Sequence, residues 1–496
     1  MIKLNFSEYK DKVRACWLGK NIGGTMGTPY EGTREYLDIK GFVTKKGEVL
    51  ANDDLDLQLV WLLALERSGP SNITASLLGE YWLTFITPHW NEYGVGKANM
   101  LRGLSAPTSG DYENTWRDSN GAWIRTEIWA CAVPGNPYAA VKYAIEDAKV
   151  DHGAGEGTFA AAFVAGMQSA AFLIPDIRKC IDVGLSFIPE TSRVAKSVKF
   201  VIDAYDKGMS ARETRDAVQH MNADIGDGWF EAPSNVAYVI LGLLFGEGDF
   251  KKSMIAAINC GDDTDCTGAT LGATLGILNG MKGIPEDWVE YLGDDIVTIS
   301  IAKGCTGRCV PKTCSELTER TVRMAPAALF CNYEFGYSDP FDIELVSTES
   351  IIPDNVYDGM IRTAKSARVA IDRIKPYMLQ FTSPWFNVDI TLGKAPEIAP
   401  MGEIPVNINI IHKHHNHEDM PYLVSLRWIL PDGFTVEGGK QNLLLPQWTR
   451  HHIEPHIETD VVIKASEHVD TVNRIILEVS INGRPTLVYC PITLLG

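Results

Sequence analysis

The sequence predicts an all-α bundle over residues 1–325, followed by a smaller all-β sandwich over residues 380–496. Up to about residue 325, apolar side chains recur at the spacing of one helix face, and Pro or Gly breaks separate the runs at helix-sized intervals. After about residue 380, five or more short runs rich in Val, Ile, Thr and aromatic residues show alternation, which favours an antiparallel sandwich. Residues 326–379 are predicted to be a connector that contains one exposed helix.

Composition and charge narrow the functional class. The chain has 496 residues and a formal net charge of −18. This acidity argues against broad binding of nucleic acid or of an anionic membrane surface. The start of the sequence lacks the long apolar run of a signal peptide, and no stretch is predicted to be a membrane helix. The ten cysteines are scattered, and Cys305, Cys309 and Cys314 lack the paired spacing of a zinc site, so we expect reduced thiols in a cytoplasmic protein.

The segment "GDDTDCTGATLGATLGILNG" carries a glycine at every fourth position from Gly268 to Gly280. Positions four apart lie on one face of a helix, although each glycine costs a helix about 1 kcal/mol relative to alanine. A stripe of small residues lets another backbone approach closely, so we expect a buried helix in an all-helical core. A membrane helix with the same spacing is the alternative, but the segment is too short to span a bilayer.

Three aspartates stand at the N-terminus of this predicted helix: Asp262, Asp263 and Asp265. Acidic residues at that position can cap a helix and interact favourably with its dipole, but one would suffice. Three together are typical of a hard cation bound by carboxylate oxygens. This segment alone does not choose between a metal site and simple capping.

A second acidic segment, "ANDDLDLQ", precedes another apolar helix and contains Asn52, Asp53, Asp54 and Asp56. Its simplest interpretation is again a helix N-cap. Glu31 follows the glycine-rich segment "GGTMGTPYEG", which is predicted to be a turn. The two helix N-termini and Glu31 would together supply five or six carboxylate ligands, enough to hold two divalent cations bridged by shared carboxylates.

Two other segments are more polar than the fold alone requires. "DSNGAWIR" places Asn120 and Gly121 in a predicted turn before Arg125, and "DAKVDHGAGEG" places His152 beside glycines at another helix N-terminus. A single histidine is more often a structural hydrogen-bonding residue than a catalytic one. Glycines at a helix N-terminus can bind a phosphate through backbone N–H groups, although one such loop is a weak signal.

In chain order, over roughly residues 10–290, these motifs resemble the ADP-ribosylglycohydrolase family. "LGKNIGGTMGTPYEG" is similar to the family's opening glycine-rich segment ending in Glu, and "NDD" stands where the family usually has Thr-Asp-Asp. "SNGAWIRTEIWACAVPGNP" and "DAKVDHG" are similar to its substrate loop and its histidine segment. "AINCGDDTDCTGATLGATLGILNG" resembles its most specific motif, an Asp-Thr-Asp followed by a small-residue helix.

The resemblance implies an all-α domain with a binuclear Mg²⁺ centre, Mn²⁺ being an alternative ion, that cleaves a glycosidic bond of an ADP-ribosylated or related ribosyl substrate. That substrate would be a small molecule or a protein-linked group. Glu31 or Asp54 would activate the attacking water, and Asn120, Gly121 and His152 would bind ADP-ribose. The implied metal ligands are Asn52, Asp53, Asp54, Asp263, Asp265 and Cys266.

The sequence departs from the family pattern at two of these ligand positions, where Asn52 and Cys266 replace threonines. An Asn carbonyl oxygen can bind Mg²⁺, whereas a thiol is a soft ligand that binds it poorly. The alternative function is therefore a non-catalytic binding or structural relative of the same fold. Retention of all the acids argues against that alternative.

The resemblance does not extend to the β-rich third of the chain, residues 380–496. We expect this part to fold separately, to be dispensable for chemistry, and to cover one side of the active-site cleft or mediate oligomer contacts. It carries histidine clusters within residues 412–417 and 451–456 that could bind zinc. A solvated hairpin tip is the favoured interpretation, because the spacing matches no closed four-ligand pattern. The sequence leaves the oligomeric state and the leaving group open.

Overall fold

The computed structural model describes residues 2–302, 309–331, 343–348, 355–413, 421–447 and 455–496. A helical part precedes a β part, which confirms the predicted fold class. The α-helices of the described residues are α1 Phe6–Gly27, α2 Asp53–Ser68, α3 Ala75–Phe85, α4 Asn91–Leu101, α5 Thr108–Asp111, α6 Glu127–Ala132, α7 Pro137–Ala148, α8 Glu156–Ala171, α9 Ile177–Phe187, α10 Arg193–Asp206, α11 Ala211–Met221, α12 Ala232–Phe245, α13 Phe250–Ile258, α14 Thr264–Asn279, α15 Glu286–Leu292, α16 Cys314–Cys331 and α17 Val356–Asp372.

The strands fall into one short pair beside the helices and a two-sheet β part. They are β1 Ile2–Asn5, β2 Ile343–Val346, β3 Met378–Thr382, β4 Phe386–Leu392, β5 Glu403–His412, β6 Tyr422–Ile429, β7 Thr435–Gly438, β8 Asn442–Leu445, β9 His456–Lys464, β10 Val472–Ile481 and β11 Leu487–Leu495. Strands β1 and β2 pair in parallel. Sequence reasoning missed this pair, because four residues are too few to show a clear alternation.

Helix α14 packs along α1 with the two backbones in contact. An ideal Cβ on Gly19 would overlap the carbonyl oxygen of Gly272, and one on Gly23 would overlap that of Gly268. A side chain at these positions would therefore force the two helices apart. The predicted small-residue helix is confirmed: Gly268 and Gly272 face Gly23 and Gly19 on α1, and Gly276 faces Ala15.

The predicted glycine-rich turn before Glu31 is wrong over most of its length. Gly23, Gly24 and Gly27 belong to the last turns of α1. Only Thr28–Tyr30, a single 3-10 turn, separates that helix from Glu31. These glycines serve the close contact with α14 and its neighbours, a role that a sequence pattern cannot distinguish from a turn.

The β part is a sandwich of two antiparallel sheets, which confirms the prediction. The sheets have the strand orders β11-β10-β6-β8 and β3-β4-β5-β9-β7. Alternate residues of each strand enter one shared apolar core, as Val388 and Ile390 do on β4 and Ile408 and Ile410 do on β5. The prediction of five or more strands compares with nine strands among the described residues of this part, of which β7 and β8 have only four residues each.

The predicted connector helix is present as α17, but it is not exposed on all sides. Val356, Met360 and Ala364 are spaced four residues apart and are buried in the core of the helical part. Helix α17 packs against α9 and α7. Helix α17 therefore belongs structurally to the helical part.

In the part of the chain that the structure describes, no helix combines the length and the apolarity needed to cross a membrane. Most of the histidines of the predicted zinc-binding alternative lie outside the described ranges. Cys305 of the cysteine group also lies outside them. His412 is described, and its ring stacks on that of Tyr422 with centroids 4.5 Å apart. The candidate metal-ligand groups found among the described residues contain no histidine.

Candidate active site

The acidic N-termini of α2 and α14 meet at the C-terminal end of α1. An ideal Cβ on Gly27 would overlap the carbonyl oxygen of Thr264, at the start of α14. An ideal Cβ on Gly24 would overlap the amide nitrogen of Asn52, at the start of α2. The close helix contact thus brings the two acidic segments, which are about 200 residues apart in sequence, to one place beside Glu31.

Two groups of candidate ligand atoms share Asp265. Asp54, Asp265 and Cys266 offer ligand atoms that lie within 4.8 Å of one another, and so do Glu31, Asp263 and Asp265. Paired divalent cations can share a carboxylate ligand. The two groups are compatible with such a pair, and Asp265 is the residue common to both.

Three buried oxygens of this cluster lack a hydrogen-bond partner among the described residues: Oδ1 of Asp54, Asp263 and Asp265. Asp263 occupies the N-cap position of α14 but makes no capping hydrogen bond. Burying an unpaired carboxylate oxygen is costly, so such groups usually pair with a cation. Capping therefore does not explain the acids of α14, and bound cations would.

The carboxylates also repel one another. Burial raises the pKa of Asp54, Asp263 and Asp265 above the usual range of an aspartate. Burial, and then the charge of Asp265, raises the pKa of Asp53 to about 6. The charge of Asp265, and then burial, raises the pKa of Glu31 to about 7. Full ionisation of the cluster near neutral pH therefore requires compensating positive charge.

The remaining predicted ligands have partners of their own. The Asn52 side-chain oxygen accepts a hydrogen bond from the backbone N–H of Asp54 at 2.7 Å, so Asn52 does cap α2. Asp53 accepts a hydrogen bond from the Tyr93 hydroxyl at 3.0 Å. The thiol of Cys266 lies 3.5 Å from the Asp54 carboxylate, and burial raises its pKa, which favours the protonated thiol.

The buried Lys20 lies next to Asp54 of the cluster, and sequence reasoning missed it. The Lys20 ammonium lies 3.7 Å from Asp54 and 3.2 Å from Glu127, and it donates a hydrogen bond to the Ile124 carbonyl at 2.7 Å. Burial alone would lower the pKa of Lys20, but Glu127 and Asp54 outweigh it and raise the pKa. Lys20 thus holds Asp54 from the side of the protein core.

Asn120 lies directly against the acid cluster, and Gly121 packs beside Glu92 and Tyr93. The Asn120 amide donates a hydrogen bond to the Asp263 carboxylate at 2.7 Å. The Trp123 indole N–H donates to the Asn120 side-chain oxygen at 3.0 Å and fixes the orientation of the amide. At Gly121, an ideal Cβ would overlap the Glu92 carboxylate, so a larger residue would require the side chains of Glu92 and Tyr93 to shift.

His152 is fully buried and is held on both sides. Its Nδ1 lies 2.8 Å from Asp151, and its Nε2 lies 3.4 Å from the hydroxyl of Ser119, the neighbour of Asn120. Arg125 forms two hydrogen bonds with the Asp151 carboxylate. Burial alone would raise the pKa of Asp151, but Arg125 and His152 outweigh it and lower the pKa to about 2. The ionised Asp151 therefore fixes the imidazole beside Ser119.

Glu231 is a second residue that sequence reasoning missed. It is 1% exposed, and neither carboxylate oxygen has a hydrogen-bond partner among the described residues. Its backbone pairs with that of Ser119. Burial raises the pKa of Glu231 to about 8. The segment "DGWFEA" gave no signal of this, because a glutamate before an apolar helix is usually exposed.

The helical fold and the buried carboxylate cluster define a candidate metal-dependent enzyme, and comparison with known proteins supplies the family. The family model described as ADP-ribosylglycohydrolase matches residues 6–323. The chain therefore belongs to the ADP-ribosylglycohydrolase family, and this membership indicates a hydrolase-like function. The β sandwich lies outside the matched residues.

Two individual proteins are similar to the chain. An uncharacterized protein of Archaeoglobus fulgidus is 24% identical over an alignment of 311 residues. The match covers 58% of this chain and 92% of that protein. A solved structure described as an ADP-ribosylglycohydrolase-related protein complex is 19% identical, with a TM-score of 0.43. That match covers 65% of this chain and 99% of the solved one.

Proposed function

We propose that the protein is a divalent-metal-dependent hydrolase that cleaves the glycosidic bond of an ADP-ribosylated or related ribosyl substrate. The observation that carries this proposal is the pair of ligand-atom groups that share Asp265. The unpartnered buried oxygens of Asp263 and Asp265 support it, because a cation would satisfy both. The type of bond rests on family membership.

The proposed metal site holds two Mg²⁺ ions through mostly oxygen donors, as hard cations require. The Cys266 thiol is a softer donor, so Mn²⁺ should bind at least as well as Mg²⁺. When bound, the ions would supply Lewis-acid polarisation of a substrate oxygen. The proposed ligands are Asn52, Asp53, Asp54, Asp263, Asp265 and Cys266, with Glu31 beside them.

Glu31 is the better placed of the two candidate bases. It is the most exposed carboxylate of the cluster, so it can accept a proton from a water molecule and release it to solvent. Asp54 is fully buried beside the Lys20 ammonium and has no such route. In the proposed reaction, the water oxygen bonds to the anomeric carbon as the glycosidic bond breaks, and the bonding electrons leave with the modified group.

The substrate side is assigned to the loops that carry Asn120, Gly121 and His152. The Asn120 amide lies at the edge of the cluster, where it can position a ribose hydroxyl next to Asp263. Gly121 lacks a side chain, which keeps the loop in contact with Glu92. His152 orients this region through Ser119, because both its ring nitrogens already face protein groups.

The test is release of ADP-ribose from N-linked and O-linked ADP-ribosyl peptides in the presence of Mg²⁺ or Mn²⁺. We expect turnover that a chelator abolishes and that Asp265→Asn lowers roughly 100-fold or more. Asp203→Asn, which changes an exposed carboxylate on α10, is the matched control and should retain full activity. Metal binding without turnover would favour the non-catalytic alternative. No calorimetric metal binding at millimolar concentration would contradict the metal centre itself.

A further inference from the structure

The β part makes polar contacts with the helical part beside the candidate substrate loops. The hydroxyl of Tyr112 donates a hydrogen bond to the Glu397 carboxylate. The ammonium group of Lys149 donates one to the side-chain oxygen of Gln380. The two helical partners lie just after α5 and just after α7, the segments that flank the loop of His152.

Asp111 connects the start of the β part to that loop. It is 5% exposed, and one carboxylate oxygen accepts a hydrogen bond from the backbone N–H of Tyr377 at 3.1 Å. The other oxygen accepts one from the backbone N–H of Ala154 at 2.8 Å. An ideal Cβ on Gly153 would overlap this carboxylate, so the loop passes directly against it.

The segment around Asp111 holds the same loop at two more points. The Ser109 hydroxyl donates a hydrogen bond to the carbonyl of Val150 at 2.7 Å. The amide of Asn114 donates one to the carbonyl of Asp151 at 2.6 Å. The α5 segment and the loop that ends at Ala154 therefore form one hydrogen-bonded unit, and the β part contacts that unit from outside.

Displacement of this unit would change the position of the candidate substrate-binding residues but not that of the candidate metal ligands. The unit contains His152, whose ring faces Ser119 at 3.4 Å, next to Asn120. Apart from Glu31, the carboxylates of the cluster stand at the N-termini of α2 and α14, which are held by their contacts with α1.

We propose that the β part supports the substrate side of the active site and that Asp111 is a positioning residue, through which Tyr377 holds the loop of His152. This inference departs from the sequence-based expectation that residues 380–496 are dispensable for chemistry. The expected effect on ADP-ribose affinity rests on the proposed function, whereas the expected effect on amide hydrogen exchange in the loop does not.

The test uses the full chain with the double variant Gln380→Ala/Glu397→Ala, which removes both β-side partners without altering the helical part. We expect amide hydrogen exchange to rise at least about fivefold in peptides that cover residues 150–158, since one lost hydrogen bond weakens the contact by about that factor and the variant loses two. Exchange in α14 and calorimetric Mn²⁺ binding should not change. Glu478→Ala, which removes an exposed cross-strand ion pair with Arg427, is the matched control.

Asp111→Asn tests the residue itself, because an amide offers only one acceptor oxygen to the two N–H groups. We expect exchange at residues 150–158 to rise about fivefold, for one lost hydrogen bond, and ADP-ribose affinity to be about fivefold weaker, with Mn²⁺ affinity kept. Unchanged exchange at residues 150–158 in both variants would overturn the inference, and so would a uniform rise across the whole chain, which marks a purely structural effect. If the wild-type protein fails to bind ADP-ribose, the proposed function fails, while the exchange data still decide this inference.

Discussion

Glu231 is a glutamate that the fold buries without a hydrogen-bond partner among the described residues. Because burial raises its pKa to about 8, the folded protein keeps a proton there that the unfolded chain releases near pH 4.3. Between these pH values the unfolded state binds fewer protons than the folded state. The contribution of Glu231 to the free energy of unfolding is therefore largest below pH 4 and is lost as the pH rises through 8.

Glu231→Gln should remove this dependence. Relative to the wild type, we expect the variant to gain stability as the pH rises from 5 to 8.5, by up to about 4 kcal/mol. Urea denaturation at both pH values measures the difference. Glu290→Gln, at an exposed position on α15, should show no such trend. A difference that stays constant with pH would show that Glu231 is ionised in the folded protein at neutral pH.

At this scale the sequence predicted the acidic residues of the site but not the groups that support them. Asp54, Asp263 and Asp265 belong to a spaced motif, so their pattern was visible. Lys20 and Glu231 are single charged residues in apolar surroundings, and charged side chains are seldom buried. Only the folded structure shows that these two are buried.

The contact between α1 and α14 leaves no room for one added methyl group. In Gly272→Ala, the new Cβ would overlap the backbone of Gly19, so the helices must separate or bend. We expect a loss of about 1–3 kcal/mol in the free energy of unfolding, together with weaker Mn²⁺ binding, because the helix carries Asp265. Denaturant titration and calorimetry measure the two effects.

The matched control is Gly41→Ala, where a Cβ would meet nothing within 4 Å. It should change neither the stability nor the metal affinity. If Gly272→Ala were equally silent, the two helices would not be in backbone contact, and the glycine stripe would need another explanation.

Among the elements, long periodic ones were predictable and short or ambiguous ones were not. The apolar spacing of α2 and the alternation of β5 identify them from local sequence alone. The end of α1 was misassigned because glycine favours turns and also permits close helix contacts. The four-residue strands β7 and β8 depend on their neighbours in the sheets, which a local pattern does not contain.

Across the whole molecule, metal binding at the proposed site would make stability depend on the concentration of the ion. Binding of an ion to the folded state alone adds about 2.7 kcal/mol when its concentration is a hundredfold above Kd. We expect the thermal midpoint of the wild type to rise with Mg²⁺ concentration after chelator treatment. Asp265→Asn should show little rise, because it loses the shared ligand.

Sodium chloride at matched ionic strength is the control for simple screening of surface charge. A midpoint that rises equally with both salts would contradict a specific metal site.

The contact between the helical part and the β part could not be predicted from the sequence. Asp111 and Tyr377, which form one of its hydrogen bonds, are 266 residues apart. Contacts of that kind depend on the docking of two finished folds, and no periodic pattern records them.

The parallel pair of β1 and β2 has a consequence for the order of events during synthesis. Ile2 and Leu4 are 1% exposed in the finished protein, yet the partner strand is made about 340 residues later. At typical ribosomal rates of about 5–20 residues per second, the first strand waits roughly 20–70 s for its partner. During that interval β1 is an apolar strand without its partner, which a nascent-chain chaperone could bind. The helical part is therefore expected to complete its sheet only after the chain has passed α16.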